Sequence, residues 1–168
     1  MEARMIRVNQ AGEYGAGRIY AGQRAVLGDS SVGPALAHME AQERGHQAMF
    51  DHLLVQHRIR PTALGPLWHG LGYGLGVVSA LMGKRAAMAA TVAVEEVIEA
   101  HYEAQLQDLA GKAGSEELVA VIQQCKADEV LHKETALELE ARQMKGYGPF
   151  TAAVRAASRA AIWLSSRI

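Results

Sequence analysis

Apolar residues return every three or four positions through most of the chain, and nowhere do they alternate with polar ones long enough to make a half-buried strand. That period predicts helices near 9–27, 33–57, 84–110, 115–143 and 150–166. The breakers fall between them, in GDSSVGP (28–34), the 61–83 stretch, GKAGS (111–115) and KGYGP (145–149). Ser30 or Ser31 and Ser115 are the expected N-caps, and Glu116 and Glu117 follow Ser115 where negative charge suits a helix N-terminus. The expected fold is all-α: a four-helix bundle with a long crossover between its second and third helices and an additional short C-terminal helix, in one domain over 1–168.

The crossover is unusual. Residues 61–83 hold no Lys, Arg, Asp or Glu, and by length alone they qualify as a membrane span. Six glycines and two prolines argue against one stiff helix there. One reading is a buried connection of the kind bundles use to link non-adjacent helices. The preferred reading is an apolar segment dipping into a membrane interface, with Trp68 and Tyr73 as anchors and Arg58, Arg60, Lys84 and Arg85 at its margins.

Composition narrows the function. Seventeen Lys and Arg against 18 Asp and Glu leave a formal charge of −1, so no global field favours nucleic acid. The lone cysteine, Cys125, excludes an intrachain disulfide or multi-thiolate cluster and reads as a small core residue. No secretory or transit segment opens the chain, which predicts a protein that works where it is made or has been trimmed.

The chemistry lies in two Glu-x-x-His tetrads, Glu43 to His46 and Glu129 to His132. Chance placement would give about 0.6 such tetrads, so context has to decide. On helical wheels Glu43 and His46 share a face with Leu36, Met39, Phe50 and Leu54, and Glu129 and His132 with Leu118, Ile122, Cys125 and Ala136. Glu13 falls among Ile6, Ala16 and Tyr20, and Glu95 among Met88, Thr91, Ile98 and Tyr102. Four carboxylates on apolar faces need positive charge, since an isolated buried carboxylate costs several kcal/mol. Lys126 and Lys133 flank Glu129 but are too few, whereas two divalent cations would balance all four.

The order reinforces this: a helix with Glu is followed by a helix with Glu-x-x-His, twice over. That is the ligand pattern of a carboxylate-bridged two-metal centre in a ferritin-like bundle. Oxygen and imidazole donors suit Fe, Mn or Zn, and iron is the expectation. His38, His52, His57 and His69 lack a matching carboxylate and read as exposed or locally bonded, and Glu96, Glu99 and Glu103 as a solvated face. Gly74-Leu75-Gly76 follows no strand, so nucleotide binding there is discounted.

With these residues in view, the sequence resembles the demethoxyubiquinone hydroxylases of ubiquinone biosynthesis, ferritin-like di-iron monooxygenases attached to membranes. The resemblance runs through IRVNQAGEYGAGRIYAGQ, RIRPTALGPLW, AATVAVEEVIEAHY, KADEVLH and AIWLSSRI. It implies metal ligands at Glu13, Glu43, His46, Glu95, Glu129 and His132, and a catalytic pair at His101 and Tyr102 near quinone and iron. It also implies two iron ions per chain, O2 as co-substrate and an external reductant, with NADH a candidate. The implied substrate is a polyprenyl quinol, and the implied partners are membrane lipid, a lipid-binding protein of the pathway and a second copy of the chain. The implied location is peripheral, on the cytoplasmic face of a bacterial inner membrane or the matrix face of the mitochondrial one. Asn9 stands where relatives often carry Asp, which affects a local hydrogen bond before Glu13. The rival readings are a ferritin-like iron store or ferroxidase, and a non-catalytic membrane-associated scaffold.

Overall fold

A computed structural model describes all of residues 1–168. It is entirely helical: α1 (Glu2–Leu27), α2 (Gly33–Gln56), α3 (Gly65–Leu81), α4 (Lys84–Leu109), α5 (Glu116–Glu138), a 3-10 turn (Ala141–Gln143) and α6 (Tyr147–Ser165). The arrangement is a ferritin-like helical bundle in which α1 pairs with α2 and α4 with α5, and the two pairs meet face to face. The crossover carries its own helix, α3, laid along α1, and α6 lies along α4. The fold thus repeats a three-helix unit, a Glu helix, a Glu-x-x-His helix and a third helix packed on the first.

Several boundaries differ from the sequence expectation. Helix α1 begins at Glu2 rather than near 9, because Met5, Ile6 and Val8 continue its buried stripe. Helix α5 stops at Glu138 rather than 143, where Glu140 turns to φ +66 and leads into the 3-10 turn. Ser115 is the N-cap residue of α5, as expected, though its Oγ bonds the Lys112 carbonyl instead of a helix N–H, whereas neither Ser30 nor Ser31 caps α2 and Ser30 Oγ bonds the Leu27 carbonyl at the end of α1. Val32 precedes α2, with Pro34 in its first turn.

The largest correction concerns the glycines of 61–83, which do not break the helix. An added Cβ on Gly76 would stand 2.1 Å from the Ile19 carbonyl oxygen, and one on Gly22 would stand 2.3 Å from that of Tyr73. Glycine is used here for close backbone approach, so α3 lies directly on α1 as one continuous helix. Trp68, expected as an interfacial anchor, packs inward at 9% exposure. Leu71, Val78 and Leu81 occupy the outer face of α3 at 57%, 56% and 71%. Tyr73 is at the surface with the Arg18 guanidinium over its ring. No helix is long and apolar enough to cross a membrane.

Helix α4 is the axis of the molecule. Every residue from Ala86 to Glu95 is buried, which only a helix covered on all sides permits. Its alanines, Ala86, Ala87, Ala89, Ala90 and Ala93, let the surrounding helices come close. Gly83, at φ +108, supplies the turn that starts α4 directly after α3.

Candidate metal centre

Six side chains from four helices converge in the middle of the bundle: Glu13 from α1, Glu43 and His46 from α2, Glu95 from α4, and Glu129 and His132 from α5. All are at most 2% exposed. Their donor atoms form two overlapping groups, each with members within 4.8 Å of one another: Glu13, Glu43, His46 and Glu129, and Glu43, Glu95, Glu129 and His132. Glu43 and Glu129 are common to both. His46 Nδ1 lies 3.3 Å from Glu13 Oε2 and 3.3 Å from Glu129 Oε1. His132 Nδ1 lies 3.0 Å from Glu129 Oε2 and 3.3 Å from Glu43 Oε1.

Both imidazoles turn Nδ1 inward and Nε2 outward, where Asp128 Oδ2 receives His46 at 2.9 Å and Gln42 Oε1 receives His132 at 3.1 Å. Each of these acceptors directly precedes a tetrad glutamate, and each serves the histidine of the other tetrad. Two tyrosines repeat the pattern: Tyr20 Oη donates to Glu95 at 2.5 Å, and Tyr102 Oη donates to Glu13. Asp128, Gln42 and Tyr20 were not singled out from sequence. The signal for Tyr20 was available, because Tyr20 and Tyr102 each stand seven residues after Glu13 and Glu95.

The electrostatics ask for cations. Burial, together with the charges of neighbouring carboxylates, pushes the Glu43 and Glu95 carboxyls well above the usual range, and burial raises Glu13 as well. Burial would also raise Glu129, but the hydrogen bond with His132 and the nearness of the His46 imidazole overcome it and hold that carboxyl at about 2. His46 resists the downward pull of its own burial, and Glu129 and Glu13 lift it to about 11. Glu13 Oε2, both oxygens of Glu43, His46 Nδ1, Glu95 Oε2 and Glu129 Oε1 are buried with no hydrogen-bond partner. Buried polar atoms are rarely left so, and inward-facing lone pairs on carboxylates and imidazoles are what a divalent cation binds. The residues therefore fit a pair of hard or borderline metal ions. Cys125 Sγ shares a group with Glu13 and His46, and burial pushes its thiol up.

The remaining candidates divide. His101 sits on the outer side of the centre, where Gln105 Nε2 approaches its Nε2 at 2.7 Å and Asn9 Oδ1 at 3.2 Å. Burial pulls His101 down to about 4, so it is neutral. Asn9 and Gln105 exchange two amide hydrogen bonds at 2.7 and 2.9 Å, which is the use made of the Asn9 position. His38, His52, His57 and His69 are exposed, and His69 pairs with the Tyr14 hydroxyl. The Glu96, Glu99 and Glu103 stripe is more than a solvated face: Arg155, Lys133 and Lys126 pair with it and tie α6 and α5 to α4. The two lysines near Glu129 are thereby taken by other carboxylates.

Two cavities lie along the helices that carry the centre, and none of the six residues lines either. One, of about 310 Å³, is walled by Gly12 and Ala16 beside Glu13, Val94 and Ile98 beside Glu95, Leu71 from α3 and Ile162 from α6. The other, of about 500 Å³, has His101, Arg4, Asp108, Arg159 and Trp163 on its walls.

Comparison with known proteins identifies relatives along nearly the whole chain. Residues 1–165 match the family described as "Ubiquinone biosynthesis protein COQ7". The chain is 48% identical to the NADPH-dependent 3-demethoxyubiquinone 3-hydroxylase of Dictyostelium discoideum, over 98% of this chain and 76% of the relative. It is 46% identical to the human protein of the same name, over 98% and 77%. It is 45% identical to the 3-demethoxyubiquinol 3-hydroxylase of Rhodospirillum rubrum, again over 98% and 77%.

Proposed function

The chain belongs to the Ubiquinone biosynthesis protein COQ7 family and is a demethoxyubiquinone hydroxylase, and we propose that its chemistry runs at a di-iron centre held by Glu13, Glu43, His46, Glu95, Glu129 and His132. The observation that carries this is the convergence of six buried side chains, five of which turn inward a polar atom with no hydrogen-bond partner. Glu43 and Glu129 are the shared carboxylates, Glu13 and His46 serve one ion, and Glu95 and His132 serve the other. When bound, the pair would supply two electrons, restored by the external reductant, to activate O2 so that one oxygen atom enters a ring C–H bond and the other leaves as water. The protein supplies everything else: buried walls that exclude water, and hydroxyls of Tyr20 and Tyr102 that fix which oxygens of Glu95 and Glu13 face inward.

The substrate route follows from the cavities. The apolar cavity between α1, α3, α4 and α6 suits a polyprenyl tail, with the quinol ring at its inner end beside Glu13 and Glu95. His101 and Tyr102 stand on the same helix as Glu95: we assign His101, neutral and on the wall of the second cavity, to proton transfer, and Tyr102, whose hydroxyl donates to Glu13, to holding that carboxylate in place. The second cavity joins two arginines with Trp163, which suits an anionic, planar nicotinamide reductant. The tail must be drawn from lipid, and the outer apolar face of α3, with Leu71, Val78 and Leu81, is the surface we assign to the membrane interface. Several relatives are mitochondrial, and peripheral attachment agrees with the absence of a spanning helix.

The test is anaerobic loading with ferrous iron, then exposure to O2 with a demethoxyquinol, following product by mass. A gain of one oxygen, dependent on iron and absent in Glu95→Ala, is the expected result; hydroxylation by the Glu95→Ala protein would refute the assignment.

A further inference from the structure

The two ends of the centre match in nearly everything. Each has one glutamate of its own, one histidine, a share in Glu43 and Glu129, and a tyrosine hydroxyl on its glutamate. They differ in Cys125, whose Sγ groups with Glu13 and His46 alone, and in what stands behind the histidine. His46 gives Nε2–H to the Asp128 carboxylate at 2.9 Å, whereas His132 gives its own to the neutral Gln42 amide oxygen at 3.1 Å. Asp128 forms no ion pair with a lysine or arginine that would absorb its charge, and its side chain is 25% exposed.

A hydrogen bond to an ionised acceptor is about twice as strong as one to a neutral acceptor. A carboxylate behind a ligating imidazole raises the basicity of the metal-facing nitrogen and locks the ring orientation. It also places one more negative charge near the first ion than the amide places near the second. We infer that the Glu13–His46 end binds its divalent cation first and more tightly, that Asp128 is the positioning residue that sets this order, and that Gln42 leaves the Glu95–His132 end as the one that empties first. This rests on the two-metal reading above. It means that partial loss of metal leaves a protein holding one ion at a defined end.

The test is an anaerobic titration of the full chain with ferrous iron, by equilibrium dialysis and by Mössbauer spectroscopy of 57Fe at one equivalent. Wild type should show two steps at least about tenfold apart and a single iron environment at one equivalent. Asp128→Asn keeps size and acceptor, and should weaken the first step by about 10- to 100-fold while leaving the second little changed. Gln42→Glu should tighten the second step, and unchanged apo melting temperatures would show that both variants fold. Glu95→Gln should keep the tight step and Glu13→Gln should lose it. Two equal steps in wild type, or an Asp128→Asn protein with the wild-type separation, would overturn the order while leaving the two-metal centre in place. A protein that binds no iron would overturn both.

Discussion

Tyr20 and Glu95 stand on different helices, α1 and α4, and are joined by a hydrogen bond of 2.5 Å deep in the bundle. The opposite pairing, Tyr102 with Glu13, repeats it across the centre. Tyr20→Phe and Tyr102→Phe should therefore lower hydroxylation by about 10- to 100-fold each while the chain still takes up two metal ions, because the phenol orients a ligand without being one. Turnover measured beside metal content checks this, and loss of metal together with activity would assign the tyrosines a different part.

Glu95→Gln should act in opposite directions with and without metal. Without metal, Glu95 is held among like charges, so a neutral amide that still accepts from Tyr20 should stabilise the fold by about 1–4 kcal/mol. With metal, a ligand is lost and stabilisation by iron should shrink. Denaturant melts of both forms, with and without ferrous iron, read the two signs separately.

Acidity should matter most to the metal-free chain. Glu43 and Glu95 sit above their unfolded values, so the native state holds extra protons and its stability declines as pH rises above about 4.5. His46 is lifted to about 11, so its contribution is full below about 6.5 and fades as pH climbs from there toward 11. His101 works the other way: held near 4, it costs stability as pH falls below about 6.5. Because bound metal replaces those protons, iron affinity should increase from pH 6 to 8, which proton release on binding would register.

The glycines of the α1–α3 contact should separate by position. Gly76→Ala places a methyl 2.1 Å from the Ile19 carbonyl oxygen and should cost about 1–3 kcal/mol or more as α3 is pushed off α1. Gly74→Ala meets nothing within 4 Å and should stabilise the helix by about 0.5–1 kcal/mol. Thermal melts of the two variants give opposite shifts if the packing is as described.

On the outer face, Leu71→Ser and Leu81→Ser should reduce binding to liposomes with little change in melting temperature. Trp68→Ala should instead unfold the chain by about 3–5 kcal/mol, since its ring is packed inward. Liposome sedimentation beside a melt distinguishes membrane contact from packing.

The helices and the six converging residues were legible because two independent periods agreed. Apolar spacing gave the faces, and Glu13, Glu43, Glu95 and Glu129 fell on them where charge does not belong unless it is compensated. The glycines of 61–83 were misread because the same residue that weakens an isolated helix also permits backbone contact with a neighbour, and only Ile19 and Tyr73 across the interface reveal which applies. Trp68 was misplaced for a related reason: an uncharged segment gives no polar side to tell the inner face from the outer. Asp128 and Gln42 act on histidines more than eighty positions away, a relation no local spacing carries.

The repeated three-helix unit has one further implication, for assembly. Severed at the Gly83 turn, the chain would become two polypeptides, each with one unshared carboxylate, one shared carboxylate and one imidazole, and neither able to enclose an ion. Co-expressed, they should reconstitute like an obligate heterodimer, and iron uptake would report their association.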